Sequence, residues 1–200
     1  EDFGVQAEYP VHPELLDWLA AKFIEGGWSI KKLHRLILDS ATWQMSSSAQ
    51  SETVKRDPHN KFYSRAPIRR IEAEAIRDTL LLISGRIDTS LGGSTWDFEN
   101  RKLVFNHTSK DSPSYNLNRR SLSLPVIRNH VYDLFQLFDF PDPNIMKGNR
   151  SRTTTSQQAL YLMNSSLVIE TARKLAVDNA GNVSTKGIDR LYNQIFQRSA

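Results

Sequence analysis

The sequence predicts a mainly α fold: a compact multi-helix domain with one small β-hairpin. Three observations lead there. Apolar residues recur at helical spacing, as in Leu16, Leu19, Phe23 and Ile24, so that one face of each such stretch is apolar. Several of these stretches are bracketed by helix-start and helix-stop residues. The 200 residues, 39% of them hydrophobic and 24% charged, suffice for one domain with a real core and are marginal for two.

The elements follow in order. Pro13 and Glu14 suit the first turn of a helix, because the proline lacks an N–H that would go unpaired there and the acid faces the positive helix end. Gly26-Gly27 stops that helix. Ser29 caps a second, whose apolar face is Ile30, Leu33, Leu36, Ile37 and Ala41. The short joint makes the two an antiparallel hairpin, and Trp18, Trp28 and Trp43 fit its core. The polar stretch 46–60, with Asp57-Pro58, reads as a loop. A third helix spans 67–84, with Ile68, Ile71, Ala75, Thr79 and Leu82 as its buried stripe and Gly85 as its end. Residues 88–118 are irregular. A strand at 101–106 pairs with the partly alternating 119–126, which sets Leu122 and Leu124 on one side. Residues 128–138 read as helical. Pro141 and Pro143 then forbid a helix interior. A long helix covers 156–178 and a last one 185–197.

Composition removes several function classes. No cysteine is present, which excludes disulfides, thiolate zinc sites, iron–sulfur ligation and covalent haem attachment. The five histidines, His12, His34, His59, His107 and His130, form no zinc spacing, so no metal or cofactor is expected within the chain. The longest apolar run, 79–83, is far short of the about 20 residues a bilayer span needs. The net charge of +4 is mild and its charges are interspersed, whereas a nucleic-acid binder more often shows one basic stripe. No Gly-rich phosphate loop and no serine nucleophile elbow occurs.

Two polar constellations remain. The first is Asp139, Asp142, Asn144, Arg150 and Arg152, with Arg119 and Arg120 as neighbours. Its functional reading is a loop that presents carboxylates and guanidinium groups to a ligand, since arginine grips anions bidentately and paired carboxylates can divide acid and base roles. Its plain reading is a proline-fixed turn held by Asp–Arg pairs. The second is Arg70, Glu74, Arg77 and Asp78, where 70/74 and 74/78 each lie four apart on one helix face. That face is either a site or a solvated set of ion pairs. Trp96, in the irregular region, either stacks on a sugar or partner or anchors the loop.

Several ordered motifs carry a resemblance. His12-Pro13-Glu14-Leu15-Leu16-Asp17-Trp18-Leu19-Ala20, Arg35-Leu36-Ile37 with Ser40, Arg70 with Glu72, Glu74, Arg77 and Asp78, and Arg119-Arg120-Ser121-Leu122 all belong to it. So do Phe138-Asp139-Phe140-Pro141-Asp142-Pro143-Asn144, Arg150, Thr153-Thr154, and Gln158-Ala159-Leu160-Tyr161-Leu162-Met163-Asn164-Ser165. Together they resemble a planctomycete domain family of unknown function that closes long, exported chains, often with a planctomycete cytochrome c domain. The resemblance implies an exported setting and a larger multidomain parent, of which residues 1–200 form a single domain lacking an upstream helix. It implies no haem here. The expected role is a non-catalytic binding or scaffolding module. Its partners would be other domains of the parent, including the cytochrome c domain, or a polysaccharide. The rival readings are a hydrolase or redox-coupled enzyme acting on polysaccharide, with Asp139 and Asp142 or Glu72 and Glu74 as acid and base, and an electron-transfer docking surface for the cytochrome.

Overall fold

Among the residues described by the computed structural model, which are 7–48, 50–93, 115, 117–128, 130–180 and 184–200, the secondary structure is eight α-helices and one short 3-10 turn. The protein is mainly α. Two compact units divide it, Glu1–Arg70 and Ile71–Ala200.

In the first unit the capping signals are realised. Helix α1, Pro13–Glu25, begins on its proline, and Gly27 takes the left-handed conformation (φ +72°) just beyond it. Helix α2, Ile30–Leu38, is capped by the Ser29 hydroxyl, which accepts from the Lys32 amide. The two pack as a hairpin. The polar stretch expected as a loop holds a short helix, α3, Ser51–Arg56. The tryptophans correct the sequence expectation: Trp18, Trp28 and Trp43 are 47, 67 and 62% exposed. Trp18 shares a helix face with Glu14 and Lys22, four residues to either side of it. Trp28 lies past the end of α1 in a left-handed conformation (φ +59°), edge-on to Phe23.

The second unit holds the buried apolar cluster, formed by Ala73, Leu124, Val131, Leu134, Phe135 and Phe138. Helix α4, Ala73–Ile83, is its axis, packing on α5 (Asp133–Leu137), α7 (Ser166–Asp178) and the 3-10 turn Ser121–Ser123. It starts six residues later than the periodicity predicts. Its buried face is also rotated, to Ala73, Arg77 and Leu81, while Ile68, Ile71 and Leu82 are exposed. The pattern misleads because a buried arginine occupies the middle of that face.

The long helix expected over 156–178 is two. Helix α6, Ser156–Asn164, opens on a capping box in which the Thr155 hydroxyl and the Gln158 side chain satisfy each other's backbone N–H groups. It stops at Ser165, which turns extended (ψ 142°) and caps α7 by accepting from the Val168 amide. Serine competes with the helix for backbone partners, so the cap wins over continuation here. Helix α8, Thr185–Phe196, is capped by Ser184.

The hairpin expectation meets a different arrangement at 119–126. Arg119 forms a single bridge with Asp88, and the chain then enters the 3-10 turn. The other expected strand, 101–106, lies outside the described residues, as do Trp96 and His107.

Two substitutions test these assignments. Leu134 is fully buried, so Leu134→Ala lowers the stability of the second unit by about 2–5 kcal/mol in a denaturant titration. Ser165→Ala costs about 1 kcal/mol.

Candidate functional site

The site is built on α4, whose successive turns point three charged side chains at other parts of the second unit. Arg77, 2% exposed, donates through Nη1 to the Arg119 carbonyl at 2.7 Å and the Ser121 hydroxyl at 3.2 Å, and through Nη2 to the Leu117 carbonyl. Asp78 accepts from the Ser121 amide at 2.7 Å and its hydroxyl at 2.6 Å, and its carboxylate lies 3.6 Å from Arg77. Burial pulls the Arg77 pKa down, opposed by Tyr132 and Asp78, yet a guanidinium stays charged in a protein. A buried cation with this many acceptors is a fastener between α4 and residues 117–121.

The alternation of an extended chain explains how that segment serves two partners. Its 117 and 119 carbonyls face Arg77. Its Asn118 carbonyl accepts from the Asp88 amide at 2.8 Å, and its Arg120 amide donates to the Asp88 carbonyl at 3.3 Å. The Arg119 side chain follows the same direction, donating to the Gly92 carbonyl at 2.6 Å and Ser90 Oγ at 2.8 Å, with Asp88 3.5 Å away. Serine hydrogen bonds to the Asp88 carboxylate, and then Arg119, hold its pKa below the usual range.

One turn earlier on α4, Glu74 receives both Nη groups of Arg150, at 2.7 and 2.8 Å. Glu72 stands 3.5 Å from the same guanidinium, which also lies over the Phe140 ring at 5.5 Å. Burial raises the Glu74 pKa, but the Arg150 hydrogen bonds outweigh it and the net shift is downward. The same hydrogen bonds push Arg150 up. Thus one residue from each constellation joins in a single bidentate pair.

The rest of the first constellation holds its own loop. Asp139, left-handed at φ +62°, accepts from the Thr153 amide at 2.7 Å and its hydroxyl at 2.9 Å. Those contacts close residues 139–153 at their base, where Gln158 donates to the Leu137 carbonyl at 2.9 Å and Thr153 Oγ1 at 3.3 Å. Asp142 accepts from the Asn144 amide, and Asn144 donates to the Arg128 carbonyl at 3.3 Å. Arg152 and Arg120 are exposed. Arg70 precedes the first residue of α4, Ala73, and so is not on that helix's face.

Some fastening residues carried no functional signal in the sequence reading. Arg86 donates to Glu170 at 2.5 Å and to the buried Thr171 hydroxyl at 3.1 Å. No local pattern announces partners 84 and 85 residues away. Gln158 was readable, since Thr155-x-x-Gln158 fits the capping box. In the first unit Asp57 accepts from the Lys61 and Phe62 amides, and these backbone bonds, that of Phe62 foremost, lower its pKa. Arg65 donates to the Asp57 and Pro58 carbonyls. Beside this knot is a shallow pocket of about 330 Å³, whose polar lining is Ser47, His59, Asn60 and Arg65.

The chain's sequence matches the profile of PSD1, protein of unknown function (DUF1553), over residues 1–200. It belongs to the PSD1 family. No curated protein and no solved structure matches it. Among the described residues of this PSD1 domain, no three His, Asp or Glu side chains are grouped to hold a metal ion, and no helix is long and apolar enough to cross a membrane.

Arg77→Met orphans two backbone carbonyls and leaves Asp78 without its cation. We expect a loss of about 3 kcal/mol, seen as a Tm drop of roughly 6–12 °C. The Glu74–Arg150 pair predicts a pH effect. Because the folded Glu74 pKa lies below its ordinary 4.5, its contribution is complete above that value and is lost as pH falls through the folded pKa. Glu74→Gln therefore destabilises at pH 7, and the difference from wild type shrinks in thermal melts below pH 4.

Proposed function

We propose that the chain is a non-catalytic binding or scaffolding module of an exported multidomain protein, and that the 139–153 loop is its contact surface. One observation carries this reading. Asp139, Asp142, Asn144, Arg150 and Glu74, which look like parts of a ligand site, are engaged with one another and with the backbone and so shape a loop, while Arg152 and Arg120 stay exposed. Asp139 and Thr153 close its base, Arg150 ties it to α4 through Glu74, and Asn144 ties it to the Arg128 carbonyl. Loops pinned this firmly are where recognition residues sit on a rigid scaffold.

Glu74 is a poor candidate for a general acid. Glu74 is held ionised by a bidentate arginine, which removes the proton a general acid must carry at neutral pH. The pocket beside Asp57 has no carboxyl group in its lining. The similarity to exported planctomycete chains supports placing the module outside the cytoplasm, with another domain of its parent, such as a cytochrome c domain, as the surface it meets.

Incubation of the chain with neutral and sulfated polysaccharides is expected to release no reducing ends above the blank. Turnover that disappears in Glu74→Gln or Asp142→Asn overturns the non-catalytic reading. In parallel, a planctomycete cytochrome c domain at about 100 times its Kd raises the melting temperature by several degrees, equivalent to roughly 2.7 kcal/mol.

A further inference from the structure

The pinned loop displays a tip that its fasteners do not use. Ile145 is 56% exposed and Met146 is fully exposed. Lys147 follows them in the chain, Arg128 is brought to the loop by the Asn144 bond to its carbonyl, and Arg152 lies on the same loop next to Thr153 at its base. All three cations are exposed, and none has an ion-pair partner among the described residues, whereas Arg150 is fully engaged with Glu74. An isolated exposed side chain needs no explanation. Two adjacent apolar side chains at the apex of a loop with a left-handed aspartate at its base are a different matter. Both side chains stand in water on a loop pinned at Asp139–Thr153, Asn144 and Arg150.

Resting on the binding-module reading, we propose that the 145–147 tip docks a protein partner through an apolar socket with an acidic rim. Ile145 and Met146 enter the socket, and Lys147, Arg152 and Arg128 face the rim carboxylates. Three features favour this occupant. Thioether and branched aliphatic side chains give adaptable apolar contact to another protein surface. Unpaired cations at the edge of a patch steer a partner of opposite charge and fix its orientation. Residues 145–147 include no aromatic ring of the kind that stacks on a sugar, and Phe140 of the same loop is covered by Arg150. A sulfated glycan would meet the cations but leave the two apolar side chains in water.

The test is a peptide-display selection on the whole chain, counter-selected against the Ile145→Ser/Met146→Ser double variant. The variant keeps the wild-type melting temperature, because both side chains are exposed. The expected result is enrichment of peptides with an excess of Asp and Glu around Leu, Ile, Phe or Trp. One such peptide, synthesised, binds wild type, binds the double variant at least about tenfold more weakly, and loses most of its salt dependence with Lys147→Ala/Arg152→Ala. Failure to enrich any peptide over the double variant, or enrichment of neutral or basic peptides, overturns the proposal. So does a sulfated oligosaccharide that displaces the peptide and binds the double variant as well as wild type. These outcomes are separable from failure of the module reading, which shows as polysaccharide turnover.

Discussion

The guanidinium of Arg77 is the constraint on which the second unit depends. It lies on the buried face of α4, between Ala73 and Leu81, where an ordinary core would place another aliphatic side chain. Removing a cation from water is expensive unless every donor finds an acceptor. The Leu117 and Arg119 carbonyls, the Ser121 hydroxyl and the nearby Asp78 carboxylate supply them. The arrangement is reciprocal. Residues 117–121 have backbone groups that need partners, and the side chains of α4 provide them. The position of the 3-10 turn, and with it Leu124 in the apolar cluster, is set by these bonds.

A second fastener extends the same helix toward the loop. Glu74 lies one turn before Arg77–Asp78 and captures Arg150, so both long connections of the unit are tied to α4. The two attachments differ in kind. Arg77 is buried and its bonds are structural at any pH where the chain folds. Arg150 and Glu74 are partly exposed, so their pair is screened more strongly and responds to acid. Rigidity at the base of the loop and exposure at its tip follow from this division: the paired charges face inward, and Ile145, Met146 and Lys147 face water.

Much of the local structure was legible in the residues. Pro13, Ser29 and Gly85 mark helix ends where the structure has them, because capping is a matter of a few neighbouring atoms. The loop built on Pro141 and Pro143 was also legible, because proline removes the helical alternative. Misreadings arose where a polar side chain does a core residue's work. Arg77 hid the buried face of α4. Ser165 split a periodic stretch whose apolar spacing runs across the break. Trp18 suggested burial by its chemistry, yet its face carries Glu14 and Lys22.

The candidate site shows the same boundary. Sequence alone determined that the chain is mainly helical, that it lacks cysteine chemistry, and that acids and arginines cluster at 139–152 and 70–78, since composition and short-range spacing are properties of the covalent chain. Only the tertiary structure decided that Glu74 and Arg150, 76 residues apart, form one bidentate pair, that Arg119 turns to Asp88 and Ser90, and that Arg77 is buried. Pairing across such distances depends on which faces the packed helices turn to one another. That choice is made by the whole apolar cluster at once and leaves no periodic trace in the sequence.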